Sequence, residues 1–599
     1  MIASAETAPF VPQPPSSNSY DVLIIGGGPG GSTAATLLRK YDPRLRVLVL
    51  EKEVFPRDHI GESQLPSISA VLDEMGAWEK VEAAGFPIKL GASYTWGRDA
   101  DQWDFDFYPV EEWKDEPRPA KFEGQRRFTA FQVDRAIYDE LLLDHAAEQG
   151  AEVREGTLVR EVLVEGGRVA GVRLESGQTI TARYYIDASG SVGLLRRALD
   201  VPVKVTDELK NIAVWDYWQN AEWADKIGVG GTRVQVRSLP YGWIWFIPLG
   251  PTRTSIGLIT PAEHFKKTGK TPEELYLEAL ASQEQIARLT RSAQREMKLQ
   301  ATKDWSQLAE RIVGDNWFLV GEAAGFADPI LAAGMSLTHS SARDAAYTIL
   351  ELDRGELDGQ WLRRRYNERN RTNIEQHIRF GQYWYSANGC FTDLQEHCSR
   401  IADSAGLKLD PKKAWAWLAQ GGFISESLGL PSLGSFDLAS AKHLLERFDR
   451  TGKRAVGSMI SGYNVFKLNL RNAERNKIGM LKDGRITPVD CYERGEAKLP
   501  LTDVYGAVVS VLERTDDGEQ IIEAFMRIAQ RSAHGGGAEL HFSLLVQALD
   551  IMIEHYWVMR DVDKRKPLAK VSLDGARSIR SRSQTEAALA AAGQDPRGG

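Results

Sequence analysis

The apolar run Val22-Leu-Ile-Ile25 stops at a cluster of glycines, Gly26-Gly-Gly-Pro-Gly-Gly31, and this junction admits few folds. An unbroken apolar stretch suits a strand buried on both faces of a parallel sheet. After the glycines a helix is predicted through about Lys40, then a second strand, Leu45-Arg-Val-Leu-Val-Leu50, which ends at Glu51. Gly26, Gly28 and Gly31 have G-x-G-x-x-G spacing, and each glycine has a separate reason to be there. Gly26 makes the tight turn, Gly28 lets backbone approach a pyrophosphate, and Gly31 lets helix and strand pack closely. The helix N-terminus stabilises the phosphates, and Glu51 is placed to take both hydroxyls of the adenosine ribose. The segment therefore predicts a dinucleotide-binding unit.

The remaining chain is too long for one core. With 599 residues, 43% hydrophobic and 26% charged, it reads as a globular protein of two or three structural units. A net charge of −8 argues against a general nucleic-acid binder, which needs a basic face. The three cysteines, Cys390, Cys398 and Cys491, are too few for a disulfide framework and suit a reducing cytoplasm. Cys390, His397 and Cys398 lie close together but lack a second pair at ligand spacing, so no metal site is read there. Residues 1–20 read as a flexible leader and not a signal peptide, and no run of about 18 apolar residues suggests a membrane span.

Residues 52–135 mix loops with short strands, among them Gly91-Ala-Ser-Tyr-Thr-Trp96, and a helix is predicted from about Val133 to Gln149. Two hairpin-like runs follow, turning at Gly166-Gly167 and Ser176-Gly177. Alternating strands between about 200 and 300 predict an inserted antiparallel sheet that forms a substrate wall. Trp317-Phe-Leu-Val-Gly321 returns to a buried strand, with a helix beginning near Gly334. From about 360 the pattern is helical, with long amphipathic segments at 503–531 and 538–560 separated by His534-Gly-Gly-Gly537. The expected organisation is a core at 21–360, a mainly helical region at 361–574 and a mobile tail at 575–599.

A second motif cluster identifies the nucleotide. Gly314-Asp-Asn-Trp-Phe-Leu-Val-Gly-Glu-Ala-Ala-Gly-Phe-Ala-Asp-Pro329 resembles the second flavin motif of the FAD-dependent monooxygenase superfamily, with Gly321-Glu322-Ala323 where Gly-Asp-Ala is usual. Asp187-Ala-Ser-Gly190 and Arg135 match further positions of that family. The resemblance implies an α/β fold: a Rossmann-like three-layer FAD domain with the inserted sheet. It also implies FAD held by Gly26, Gly28, Gly31, Glu51, Arg135, Asp187, Gly321, Glu322 and Asp328. A second G-x-G-x-x-G between strand and helix is absent, so no separate NADPH domain is expected.

Three segments resemble the flavin-dependent halogenases. Trp243-Ile-Trp-Phe-Ile-Pro248 reads W-x-W-x-I-P; on a strand Trp243 and Trp245 share a face, where in that family they form a barrier between flavin and substrate. Two tryptophans packing an ordinary sheet face are the competing explanation. Phe55-Pro-Arg-Asp-His-Ile-Gly-Glu-Ser63 with Pro66 is similar to the segment beside the isoalloxazine, which related reductases share. Gly85-Phe-Pro-Ile-Lys-Leu-Gly-Ala-Ser-Tyr-Thr-Trp-Gly97 puts Lys89 where these enzymes carry a catalytic lysine.

The implied chemistry starts from FADH2, supplied by a separate reductase, and O2, which form a C4a-hydroperoxide. Chloride or bromide attacks it to give hypohalous acid, and Lys89 passes the halogen on. The halide is expected at the backbone N–H groups of Ala333 and Gly334. Tryptophan halogenases have a glutamate where Leu331 stands, which favours the branch acting on phenols, pyrroles or related aromatics, free or tethered to a carrier protein. A monooxygenase or isoprenoid-type reductase would share the FAD motifs without needing the lysine or the indole pair. A flavin-binding protein without turnover is a third alternative.

Overall fold

The computed structural model describes residues 19–95, 102–108, 110–386, 460, 462–495, 497–532, 538–554, 556–568 and 579–581. Its first sheet has a parallel centre in the order Glu152–Arg154, Val47–Leu50, Ser19–Ile25, Thr179–Asp187 and Trp317–Leu319. Residues Val22 to Ile25 and Val47 to Leu50 are all buried, as a doubly covered strand requires. The helix Pro29–Tyr41 packs against the helices Arg135–Glu148 and Gly334–Arg354. The hairpin Val159–Glu165 with Arg168–Leu174 turns at Gly166 and Gly167, both at positive φ, and joins the same core. These elements match the sequence reading closely.

The second sheet is larger than the expected insertion. Its strands Val203–Gln219, Gly231–Leu239, Gly242–Pro248 and Arg253–Pro261 come from the anticipated region. It also recruits Ile88–Thr95, Trp103–Asp106 and Gln300–Ala309, and Ile88–Thr95 joins it in parallel against Gly231–Leu239. Period-2 alternation gives the sheet two apolar faces. Trp243, Trp245 and Ile247 join the core around the first sheet, whereas Ile244 and Phe246 pack beneath helices Pro272–Ser282 and Glu284–Leu289.

Beyond the helix Gly359–Ser386, the described residues are not purely helical. A three-stranded sheet (Glu474–Lys482, Arg485–Arg494, Ala497–Pro500) and a pair (Val465–Leu468 with Val558–Asp561) accompany helices Asp503–Leu512, Gly518–Ser532 and Ala538–Glu554. The amphipathic segment at 503–531 thus holds two helices, divided at residues 513–517. Three residues of the expected tail, Ile579–Ser581, pair with Trp103–Asp106. No helix among the described residues is long and apolar enough to cross a membrane. Cys390, His397, Cys398 and the glycines of 534–537 lie outside the described residues.

Candidate active site

The glycine turn has the geometry its sequence demands. A Cβ on Gly26, which sits at φ +107°, would lie 2.3 Å from the carbonyl oxygen of Ala188, and one on Gly31 would lie 1.9 Å from that of Gly26. Gly28 differs: a Cβ there would come no nearer than 3.4 Å to any group, and that group is Arg57 Nη2. Gly28 is also the N-cap of Pro29–Tyr41 with no side-chain cap, so the helix offers free N–H groups beside a guanidinium. That cradle suits a pyrophosphate. Glu51 Oε2 accepts from Gly27 N at 2.7 Å and Oε1 from Glu53 N at 2.9 Å, which fixes the carboxylate at the turn with lone pairs to spare.

Arg135 is buried and held by Asp139 at 2.7 and 2.8 Å, while its Nη1 donates to the carbonyls of Ile60 (2.8 Å) and Gly61 (3.2 Å). Asp139 also pairs with Arg57 at 3.1 Å. Asp139 thus joins two arginines, and Arg57, not Arg135, is the one facing Gly28. Arg57 lies inside the segment Phe55–Ser63, but only the folded chain brings it to the phosphate cradle.

Asp187 is engaged locally: its oxygens accept from Ser189 N and Oγ and from Leu195 N, at 3.1, 2.6 and 2.8 Å. These bonds hold the strand-end turn Asp187–Gly190 in place. Gly321 has φ +56°, and a Cβ there would meet Thr338 Oγ1 at 2.7 Å. Glu322 stands beside the Asp187–Gly190 turn, 4.0 Å from where a Gly190 Cβ would be, and desolvation pushes its carboxyl up.

Asp328 is buried, and desolvation raises its pKa to about 7. Its Oδ1 accepts from Ile330 N and from the Tyr385 hydroxyl, both at 2.9 Å, while Oδ2 has no partner among the described residues. Tyr385 OH in turn accepts from Trp243 Nε1 at 2.9 Å. Trp245 Nε1 donates to Ser255 Oγ at 3.1 Å, and the two indole centroids are 6.1 Å apart. The paired tryptophans are therefore tied to the Asp328 turn through a tyrosine on Gly359–Ser386, a link with no signal in either motif.

After Asp328 the chain passes Ala332 at φ +53° and enters Gly334–Arg354 with Ala333 as N-cap. Among the described residues, a Cβ on Gly334 would meet nothing within 4 Å, so there is open space beside this helix N-terminus. Open space, free N–H groups and the positive end of a 21-residue helix together suit a small anion.

Lys89 lies one residue into Ile88–Thr95, next to a register slip in which Leu90 is the extra residue opposite Thr232 and Arg233. Such a bulge re-aims side chains. Lys89 is 1% exposed; its Nζ donates to the Gln64 carbonyl at 2.8 Å and lies 5.4 Å from the Phe107 ring centroid. Desolvation lowers its pKa to about 7. Three residues beyond Gln64, Ser67 Oγ donates to Ser336 Oγ at 3.3 Å. The segment Glu62–Ser67 thus ties Lys89 to the helix that starts at Gly334. Glu62 is buried too, its carboxyl pushed up by desolvation and bonded by Tyr217 OH at 3.2 Å.

The tryptophan halogenase family profile matches residues 21–116 and 109–393. A tryptophan 2-halogenase of Chondromyces crocatus is 36% identical over 350 residues, 57% of this chain and 63% of that one, so the match spans a little under two thirds of that relative. A 1H-pyrrole-2-carbonyl-[peptidyl-carrier protein] chlorinase of Pseudomonas fluorescens is 33% identical over 396 residues, 63% of this chain and 86% of that one. The solved myxobacterial chondrochloren halogenase CndH superposes with a TM-score of 0.57 at 27% identity, covering 72% of this chain and 97% of its own. CmlS, another flavin-dependent halogenase, shares the fold with a TM-score of 0.68 at 23% identity over 93% of this chain and 98% of its own. On the strength of the profile and these relatives, the chain belongs to the tryptophan-halogenase family of flavin-dependent halogenases.

Proposed function

We propose that this chain is an FADH2-dependent halogenase of electron-rich aromatic substrates, and that Lys89 relays the halogen. Reduced FAD, supplied in the cytoplasm by a separate flavin reductase, provides with O2 the oxidising power that turns chloride or bromide into hypohalous acid. Gly26, Gly28, Gly31 and Arg57 hold the pyrophosphate; Glu51 takes the adenosine ribose; Gly321, Glu322 and Asp328 line the flavin half. Ala333 and Gly334 supply N–H groups to the halide. Trp243 and Trp245 keep the substrate away from the flavin, so that oxygen is not transferred to it directly.

The burial of Lys89 carries the reading. With its pKa lowered to about 7, amine and ammonium coexist near neutral pH. The amine attacks the halogen of hypohalous acid: an N–X bond forms, the O–X bond breaks, and the departing hydroxide takes the amine proton as water. An aromatic carbon then attacks the halogen, the N–X electrons return to nitrogen, and the ring loses a proton. Because the halogen arrives as an electrophile, phenols, pyrroles and related rings are the fitting substrates. The chlorinase relative, whose name specifies a pyrrole on a peptidyl carrier protein, supports a carrier-tethered substrate alongside free ones.

The test omits the halide. Protein, FAD, reductase, NADH and a panel of free and carrier-bound aromatics are incubated with and without bromide, and products are read by mass. Brominated product that requires bromide is expected. Hydroxylated or reduced product formed equally without bromide would establish direct flavin chemistry and reject the proposal.

A further inference from the structure

Gln132 is wholly buried, and neither atom of its carboxamide has a hydrogen-bond partner among the described residues. Ser63, 8% exposed, has a hydroxyl in the same condition. The two residues face each other across an antiparallel bridge, so both side chains leave on the same side. Lys89 shares that side. It is paired with Ala130, two residues before Gln132, while Ile88 and its partner Phe131 turn the other way, where Phe131 packs 5.3 Å from Trp78. Buried polar atoms without partners are costly, and proteins retain them where a guest completes them.

The chain also says where this pair sits along the route. Residues 60–64 run from Arg135, which binds the carbonyls of Ile60 and Gly61, to Lys89, which binds the carbonyl of Gln64. Arg135 shares Asp139 with Arg57, which faces Gly28. Ser63 therefore lies on the segment that links Arg135 to Lys89, and Gln132 is bridged to it.

We propose that Gln132 and Ser63 form a hydrogen-bonding station for neutral hypohalous acid on its way from the flavin to Lys89, an inference that rests on the halogenase function proposed above. Hypohalous acid has one O–H to donate and an oxygen that accepts. The carboxamide offers an acceptor and a donor on adjacent atoms, and the hydroxyl offers both. Neither group carries charge, which suits a neutral guest in a desolvated place. Neither is as nucleophilic toward halogen as an amine, so the station holds the oxidant without consuming it and leaves capture to Lys89.

The test compares wild type with Gln132→Leu, Gln132→Asn and Ser63→Ala in the full-length protein, using bromide and an electron-rich phenol. Three quantities are read: FAD affinity by fluorescence quenching, brominated phenol per flavin oxidised, and free oxidant trapped by a 1,3-diketone scavenger in solution. Gln132→Leu is expected to bind FAD within about twofold of wild type and to oxidise flavin at an unchanged rate. Its product yield falls at least fivefold, with the missing bromine on the scavenger. Ser63→Ala gives a smaller shift in the same direction, and Gln132→Asn recovers part of the yield. Should Gln132→Leu fail to fold, the other two variants read the same partition.

An unchanged partition between phenol and scavenger overturns the station. So does a loss of FAD affinity beyond tenfold, which would make the flavin the guest, or a loss of product without gain on the scavenger. Wild type that brominates neither phenol nor scavenger would instead bring down the halogenase reading, and the station with it.

Discussion

On the proposed mechanism, burial turns Lys89 from an ordinary side chain into a reagent. An ammonium in water is nearly always protonated at neutral pH; inside this sheet, with a carbonyl and a ring for company, it titrates at about 7. If the amine form captures the halogen, the yield of product per flavin oxidised should rise with pH. The neutral fraction grows about tenfold between pH 6 and pH 8 for such a pKa, and single-turnover assays across that range should follow it. A yield that falls with rising pH would mean that the ammonium is the working form. Asp328 titrates in the same range, so the profile should be repeated in Asp328→Asn, where the same rise is expected. Lys89 could be singled out from the sequence because a long matching segment surrounds it, and its burial is what the structure adds. Arg57, Tyr385 and Gln132 could not, because their significance comes from contacts between distant parts of the chain: Trp243 and Tyr385 meet across 142 positions.

At the level of elements, the indole pair shows what a motif can and cannot reveal. Alternation alone puts Trp243 and Trp245 on one face, but the room for Trp245 comes from Gly257, directly opposite on Arg253–Pro261. A Cβ there would sit 2.1 Å from the indole ring. Gly257→Ala should therefore lower stability to denaturant by about 1–3 kcal/mol and, if the indoles form the proposed barrier, release hydroxylated by-product detectable by mass; an unchanged midpoint and product profile would show that the indole has slack. The same cross-strand contacts explain how the second sheet outgrew its expected bounds. Ile88–Thr95 joins it in parallel, a pairing with no local turn to announce it, whereas the hairpin at Gly166-Gly167 declared itself through its turn residues. The strands between 465 and 500 escaped notice for a related reason: their polar, charge-rich faces carry little apolar alternation, and their partners are the helices of their own unit and the back of the FAD domain.

At the scale of the whole molecule, the C-terminal unit has its own core, built on Phe466, Val508, Phe525, Leu545 and Leu549, and docks by a hairpin tip. Gly484, at φ +72°, lies against Tyr41: a Cβ would come 2.5 Å from the ring. Its carbonyl accepts from Arg354 at 2.8 Å, and Ile486 N donates to Glu351 at 3.1 Å. Gly484→Val combines backbone strain with a clash and should detach the unit, seen as faster limited proteolysis of the C-terminal region with FAD affinity retained; proteolysis at the wild-type rate would show that the docking lies elsewhere. The account as a whole claims that an oxidant made at the flavin reaches the substrate only through the buried amine on Ile88–Thr95. Its most direct test is the ratio of halogenated product to flavin oxidised in Lys89→Ala beside wild type, both saturated with FADH2, halide and aromatic substrate. The account predicts continued flavin oxidation with product reduced at least a hundredfold; halogenation by Lys89→Ala at the wild-type ratio would contradict it.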